Sequence, residues 1–265
     1  MFLPELKNKV AIVTGASTGI GRATSILFSA HGARVVLVSR SHDKLKEVGN
    51  TIRGMGNLCI AVTTDVRDPT QVDSMARKAL QEYGAIDILV NNAGVGIWGP
   101  LAESSMSDWD YIINTNLKGT FLCTRSVVPI MASQNRGFII NVASQAGKRG
   151  MPNLAIYCAS KFGIIGLSES LKKELCPHGI RVFYICPGYV NTDFFTNSNF
   201  VKPSNIRRMV EPEDVARDIL MLIRGNTQKR ASEQKLSTIT SRAVLRIINK
   251  YAAKLNQILD EKSKP

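Results

Sequence analysis

Six short apolar runs, each followed by a segment of helical length, constrain this chain more than any other feature. They lie at 10–14, 34–38, 58–62, 86–90, 138–142 and 182–185 and are rich in Val and Ile. Nearly continuous apolarity, rather than strict alternation, suits strands covered on both faces. Intervening segments such as 22–31, 71–83, 109–133 and 157–176 have helical spacing, with Gly32, Gly84 and Gly179 placed as C-terminal caps. The alternation predicts α/β architecture: a doubly wound parallel sheet, the Rossmann fold, binding ligands beyond the C-terminal ends of its strands.

A chain of 265 residues, 44% hydrophobic and 21% charged, can bury one large core and is not expected to be disordered. We expect one domain over 1–228 and a basic extension over 229–265. No apolar run reaches the ~18 residues of a membrane span. The first nine residues lack the apolar core of a secretion signal. Five cysteines (Cys59, Cys123, Cys158, Cys176 and Cys186) occur without a Cys-x-x-Cys pair, and four sit among apolar neighbours. That pattern implies buried thiols in a reducing compartment, hence a cytoplasmic protein with neither a disulfide framework nor a zinc site. Three scattered histidines give no metal-ligand spacing.

The formal net charge is +13. From Lys202 onward, 14 Lys and Arg stand against 7 Asp and Glu, so the final quarter carries more than half of the excess. Such a charge suits an anionic cofactor, an acidic partner or an anionic membrane surface. Zinc-finger spacing and aromatic RNA-binding strands are missing from the sequence, so nucleic acid is not an expected partner.

The first strand runs into Thr14-Gly15-Ala16-Ser17-Thr18-Gly19-Ile20-Gly21 and then a helix. Glycines there let the backbone turn sharply and approach a pyrophosphate resting on the helix N-terminus; a plain glycine-rich turn would look similar. The second strand ends in Val38-Ser39-Arg40. An acidic residue at such a position would take the ribose 2′-hydroxyl of NAD, whereas an arginine accommodates the 2′-phosphate of NADP. Asp65-Val66 closes the third strand, and Asn91-Asn92-Ala93-Gly94 closes the fourth. Asp65 is placed to accept from an adenine amine. The asparagine pair either braces neighbouring strand ends or lines the cofactor cleft.

In Tyr157-Cys158-Ala159-Ser160-Lys161, the phenol and the ammonium are four residues apart and share a helix face. A phenol with an ordinary pKa near ~10 is a poor acid or base at neutral pH, and a neighbouring cation would lower that value. Ser144, after the fifth strand, is placed to donate to a substrate carbonyl.

Together these elements resemble the short-chain dehydrogenase/reductase superfamily, in its single-domain, NADP-preferring branch. The likeness covers about residues 6–224 and rests on the glycine turn, Asp65, Asn91 to Gly94, Asn116, Ser144, Tyr157, Lys161 and Pro187-Gly188. It implies a catalytic set of Asn116, Ser144, Tyr157 and Lys161. In that set Tyr157 protonates the developing alkoxide, and Lys161 depresses the Tyr157 pKa and binds the nicotinamide ribose. Ser144 orients the carbonyl, and Asn116, where the helix pattern is interrupted, holds a water that links Lys161 to solvent. The resemblance also implies that Gly15, Ser17, Ile20, Gly21, Ser39, Arg40, Asp65, Val66, Asn91, Ala93, Gly94, Tyr157 and Lys161 contact the cofactor. Pro187, Gly188, Val190 and Thr192 would lie toward its nicotinamide end.

On the substrate side, 95–98, 145–154, Tyr189 and Phe194-Phe195 are candidate pocket residues, with a lid running to about Arg208. Their largely apolar character suits a hydrophobic carbonyl compound. Lys148 and Arg149 interrupt that lining and either meet an anionic group or are simply solvated. The chain departs from 3-oxoacyl-carrier-protein reductases after Arg224, where polar, basic sequence replaces the usual glycine-rich closing strand. A seventh strand and the usual tetramer are therefore left open, and a homodimer is the expected assembly. Farther on, Val244, Ile247, Ile248, Tyr251, Leu255, Ile258 and Leu259 share one helical face, and Arg242, Arg246, Lys250 and Lys254 the other. Such a basic amphipathic helix either docks on protein or makes peripheral membrane contact through 236–260. The expected activity is NADP(H)-dependent interconversion of a carbonyl and an alcohol, mainly as a carbonyl reductase. Reduction of 3-oxoacyl thioesters, or non-catalytic NADP binding, are the alternatives.

Overall fold

The computed structural model describes residues 6–192, 194 and 209–225. Six strands form one parallel sheet: β1 (Val10–Thr14), β2 (Arg34–Ser39), β3 (Cys59–Thr63), β4 (Ile88–Asn91), β5 (Gly137–Val142) and β6 (Ile180–Ile185). Their order is β3-β2-β1-β4-β5-β6. Because successive side chains in a strand point to opposite faces, the apolar runs feed two cores. Ala11, Val13, Val35 and Leu37 pack on one face with Phe28, Leu45 and Ile219. Those partners belong to α1 (Gly19–Ala30), α2 (His42–Gly54) and α7 (Pro212–Arg224). Val10, Ile12, Val36 and Val38 pack on the other face with Met75, Val127, Met131 and Leu175. They meet α3 (Pro69–Tyr83), α5 (Gly119–Ser133) and α6 (Ala155–Leu175) there. Near-continuous apolarity in the strands is thus the signature of helices on both faces.

Two local devices set the frame. Asp68 caps α3, its carboxylate accepting from the N–H groups of Thr70 and Gln71, with Pro69 in the first turn. At the N-terminal edge of the sheet, buried Asp87 accepts from Lys9 Nζ at 3.2 Å, Arg136 Nε at 3.0 Å and the Val10 N–H at 3.0 Å. It thereby ties β1 to the entry of β4. β4 begins at Ile88 rather than at Ile86.

The helix expected over 109–133 is three pieces: α4 (Met106–Ile113), a π-turn at Asn114–Lys118, and α5. Periodicity alone does not reveal that extra residue per turn. Among the described residues the sheet has six strands, followed only by an isolated parallel bridge between Val190 and Val210. The domain division expected at 228, the basic helix over 236–260 and most of the lid lie outside the described residues. All five cysteines are free; Cys123, Cys158 and Cys186 are buried, Cys59 is half-buried and Cys176 is exposed. No helix among the described residues is long and apolar enough to cross a membrane.

Candidate active site

The sheet reverses its winding between β1 and β4, and open α/β sheets bind ligands at that point. A cavity of about 680 Å³ lies there, reaching from Arg40 after β2 to Ser144 after β5. Backbone sterics shape its floor. Gly15 turns with φ +64°, and a Cβ there would lie 2.8 Å from Asn92 Nδ2. A Cβ at Gly21 would lie 2.2 Å from the Gly15 carbonyl oxygen, so only glycine lets α1 start this close to the turn. Thr14 Oγ1 accepts from the N–H groups of Asn92 at 2.9 Å and Ala93 at 3.0 Å, clamping the ends of β1 and β4 together.

At the β5 end, Ser144 and Tyr157 line the cavity together, and the Ser144 hydroxyl acts on the phenol while its Oγ accepts from the Ala146 N–H at 3.1 Å. Lys161 Nζ lies 5.6 Å from the centroid of the Tyr157 ring and donates to the Val142 carbonyl at 2.9 Å. Desolvation pushes the phenol up to about 12, opposed by the Ser144 hydroxyl, and pulls the Lys161 ammonium down to about 8. The expected lowering of the Tyr157 pKa by Lys161 is therefore not what this structure shows. Burial is the largest influence on the phenol, and Lys161 is not among the groups that shift it.

Asn116 is fully buried, and its side chain is hydrogen-bonded at both ends. Its Oδ1 accepts from the Val95 N–H at 2.8 Å, and its Nδ2 donates to the Val95 carbonyl at 2.9 Å and to Ser160 Oγ at 3.0 Å. Ser160 Oγ in turn donates to the Tyr157 carbonyl at 2.7 Å. The Asn116 side chain thus braces the loop after β4 against the Tyr157 turn of α6. The π-turn is what swings Asn116 inward.

Of the cofactor residues expected from sequence, Gly15, Ser17, Ile20, Ser39, Arg40, Asp65, Val66, Ala93 and Gly94 line the cavity. So do Tyr157, Lys161, Pro187, Gly188, Val190 and Thr192. Asn91 does not: its Nδ2 donates to Thr124 Oγ1 at 3.0 Å and Asn141 Oδ1 at 2.9 Å inside the sheet. Asn92 takes the lining place, because side chains alternate along the strand end. Gly21 packs beneath the turn instead of facing the cleft. Asp65 is clasped by the Arg67 guanidinium, Nε lying 3.0 Å from each carboxylate oxygen, which holds its pKa below the usual carboxylate range. Sequence reasoning missed Lys44 and Tyr111 in the lining. Lys44 stands four residues after Arg40 and was findable; Tyr111 comes from α4 and was not.

On the substrate side, Val95, Gly96, Ile97 and Phe194 line the cavity. The Phe194 ring lies 5.8 Å from that of Tyr157, tilted by 53°. Trp98 packs with Met151, Leu154 and Cys158 just behind. Lys148 and Arg149 are exposed, and neither they nor Tyr189 line the cavity. Phe195 and the rest of the lid lie outside the described residues.

The residues fit a dinucleotide. A glycine turn opens onto a helix N-terminus able to receive phosphates, and cations stand toward both ends of the cleft: Arg40 and Lys44 at one, Lys161 at the other. Doubly wound sheet and clustered phenol, ammonium and hydroxyl together define a dinucleotide-binding oxidoreductase. The chain belongs to the short-chain dehydrogenase family, whose model matches residues 9–201. It is 37% identical to the 3-oxoacyl-[acyl-carrier-protein] reductase FabG of Thermotoga maritima, over 82% of this chain and 91% of the relative. The 3-oxoacyl-[acyl-carrier-protein] reductase of Synechocystis sp. is 38% identical, with 82% and 90% covered. Among solved structures, levodione reductase is 29% identical with a TM-score of 0.78, covering 83% of this chain and 92% of that one. A short-chain dehydrogenase/reductase of Burkholderia phymatum, in complex with NAD, is 32% identical with a TM-score of 0.78, covering 85% and 88%.

Proposed function

We propose that this oxidoreductase uses NADP(H) to interconvert a ketone or aldehyde with an alcohol, acting mainly as a reductase of largely apolar carbonyl compounds. The observation that carries the reading is the convergence of Ser144, Tyr157 and Lys161 on one cavity, which also reaches Arg40, with Lys161 Nζ 5.6 Å from the centroid of the Tyr157 ring. The coenzyme supplies and accepts the hydride. Ser144 Oγ orients the carbonyl by donating to its oxygen, and Tyr157 Oη gives its proton to that oxygen as alkoxide character develops. A phenol held up near about 12 carries at neutral pH the proton that it gives to the forming alkoxide, which is a far stronger base than a phenolate. Lys161 places a cationic donor toward the nicotinamide ribose, while Val95, Ile97 and Phe194 offer the substrate apolar walls.

Preference for NADP(H) over NAD(H) is supported by Val38-Ser39-Arg40-Ser41 after β2, which contains a cation and no carboxylate. Reduction of 3-oxoacyl thioesters is the second reading, favoured by the identity to two reductases of that name. A binder without turnover has no need of the intact Ser144, Tyr157 and Lys161. A homodimer remains part of the proposal, and half-exposed Phe121 on α5 and Phe162 on α6 offer it apolar surface; light scattering after gel filtration tests it. The central experiment follows NADPH oxidation with steroids, quinones, diketones and 3-oxoacyl thioesters, for wild type and Tyr157→Phe. NADPH binding without turnover on any of them would overturn the reading.

A further inference from the structure

The cofactor end of the cleft contains an arrangement that catalysis leaves unexplained. Three segments distant in sequence converge there: Arg40 after β2, Asp65 and Arg67 before α3, and Tyr111 on α4. Arg67 holds Asp65 by a fork, Nε at 3.0 Å from each oxygen and Nη2 at 2.5 Å from Oδ2, while its own N–H donates to Oδ1 at 3.0 Å. The same guanidinium lies 5.4 Å from the centroid of the Tyr111 ring. Arg40 lies 5.8 Å from that ring, and its Nη2 donates to Tyr111 Oη at 3.2 Å. Two like charges thus share one phenol, an arrangement that the ring's negative face and the Asp65 carboxylate make tolerable.

The electrostatic consequence concerns Asp65, which lines the cavity alongside Arg40. Left bare, its carboxylate would offer an acceptor to a ribose hydroxyl and repel a phosphate. Clasped by Arg67, it does neither. With Lys44 also on the lining, the four charged groups keep a positive balance.

We propose that Arg67 is a second coenzyme-specificity residue: by neutralising Asp65 and sharing Tyr111 with Arg40, it selects a 2′-phosphorylated adenine dinucleotide over its 2′-hydroxyl counterpart. The inference rests on the NADP(H) reading above and assigns to Arg67 a role that Arg40 alone does not fill.

The test is direct binding of NADPH and NADH, followed by coenzyme fluorescence, with a thermal melt on each variant. Arg67→Gln is expected to weaken NADPH roughly tenfold, the scale of one half-exposed charge, and NADH less than about twofold. Arg67→Lys keeps the charge but loses the fork and should fall between. The double variant Asp65→Asn with Arg67→Gln leaves no carboxylate to neutralise. It should recover most of the NADPH preference, and it serves as well if Arg67→Gln alone folds poorly. Arg40→Ala is the control for the coenzyme reading. If Arg40→Ala discriminates between the coenzymes but Arg67→Gln affects both alike or neither, the role of Arg67 is refuted and the NADP(H) reading stands. Equal loss of both coenzymes in Arg40→Ala would refute the reading itself.

Discussion

Replacing Lys161 by Met exchanges a buried ammonium for an apolar side chain of similar length, and the fold should register the exchange as a function of pH. Lys161 is only 4% exposed, and burial lowers its pKa from 10.5 to about 8. Below about pH 8 the amine is charged in both folded and unfolded chains, so the full burial penalty is present. Between pH 8 and 10.5 the folded chain releases its proton before the unfolded one does, and the penalty fades as pH rises. The shift corresponds to about 3 kcal/mol at about 1.4 kcal/mol per unit. Loss of the bond to the Val142 carbonyl subtracts about 1 kcal/mol at every pH. Urea unfolding of wild type and Lys161→Met should therefore show the variant more stable by about 2 kcal/mol at pH 7, with turnover abolished. The advantage should disappear and reverse as pH approaches 10.5. A stability difference that does not vary across that window would refute the claim that a desolvated charge sits at position 161.

Three further outcomes follow from the geometry. Tyr157→Phe removes the proton donor and should lower turnover by roughly 10²–10⁴-fold, far more than it weakens coenzyme binding, read by steady-state kinetics beside fluorescence titration. Gly21→Ala drives a methyl group to 2.2 Å from the Gly15 carbonyl and should abolish coenzyme binding while circular dichroism retains its α/β signature; tight binding by that variant would contradict the packing. Asp87→Ala strips the edge clamp from Lys9, Arg136 and the Val10 N–H. Its partners are half-exposed, so thermal unfolding should report a loss of about 2 kcal/mol, with kinetics at ambient temperature unaffected.

Strand and helix order, the glycine turn, and the Tyr157-to-Lys161 spacing were legible in the chain because each is written in local chemistry: β-branched runs, glycine where a Cβ cannot fit, and a four-residue step along one helix. Ser144 and Arg40 were legible for a related reason, since strand ends in a doubly wound sheet all emerge on one edge. Contacts between segments far apart in sequence were decided only by the tertiary structure. Packing turned Asn91 into the sheet and Asn92 toward the cleft, wound Asn116 inward on a π-turn, and tied it through Ser160 to the Tyr157 carbonyl. The same packing brought Tyr111 from α4 against Arg40 and Arg67, and it withdrew the phenol and ammonium from water enough for desolvation to become the largest influence on each. Residue type and spacing govern local conformation, whereas burial, side-chain pairing and pKa depend on what the rest of the chain places alongside.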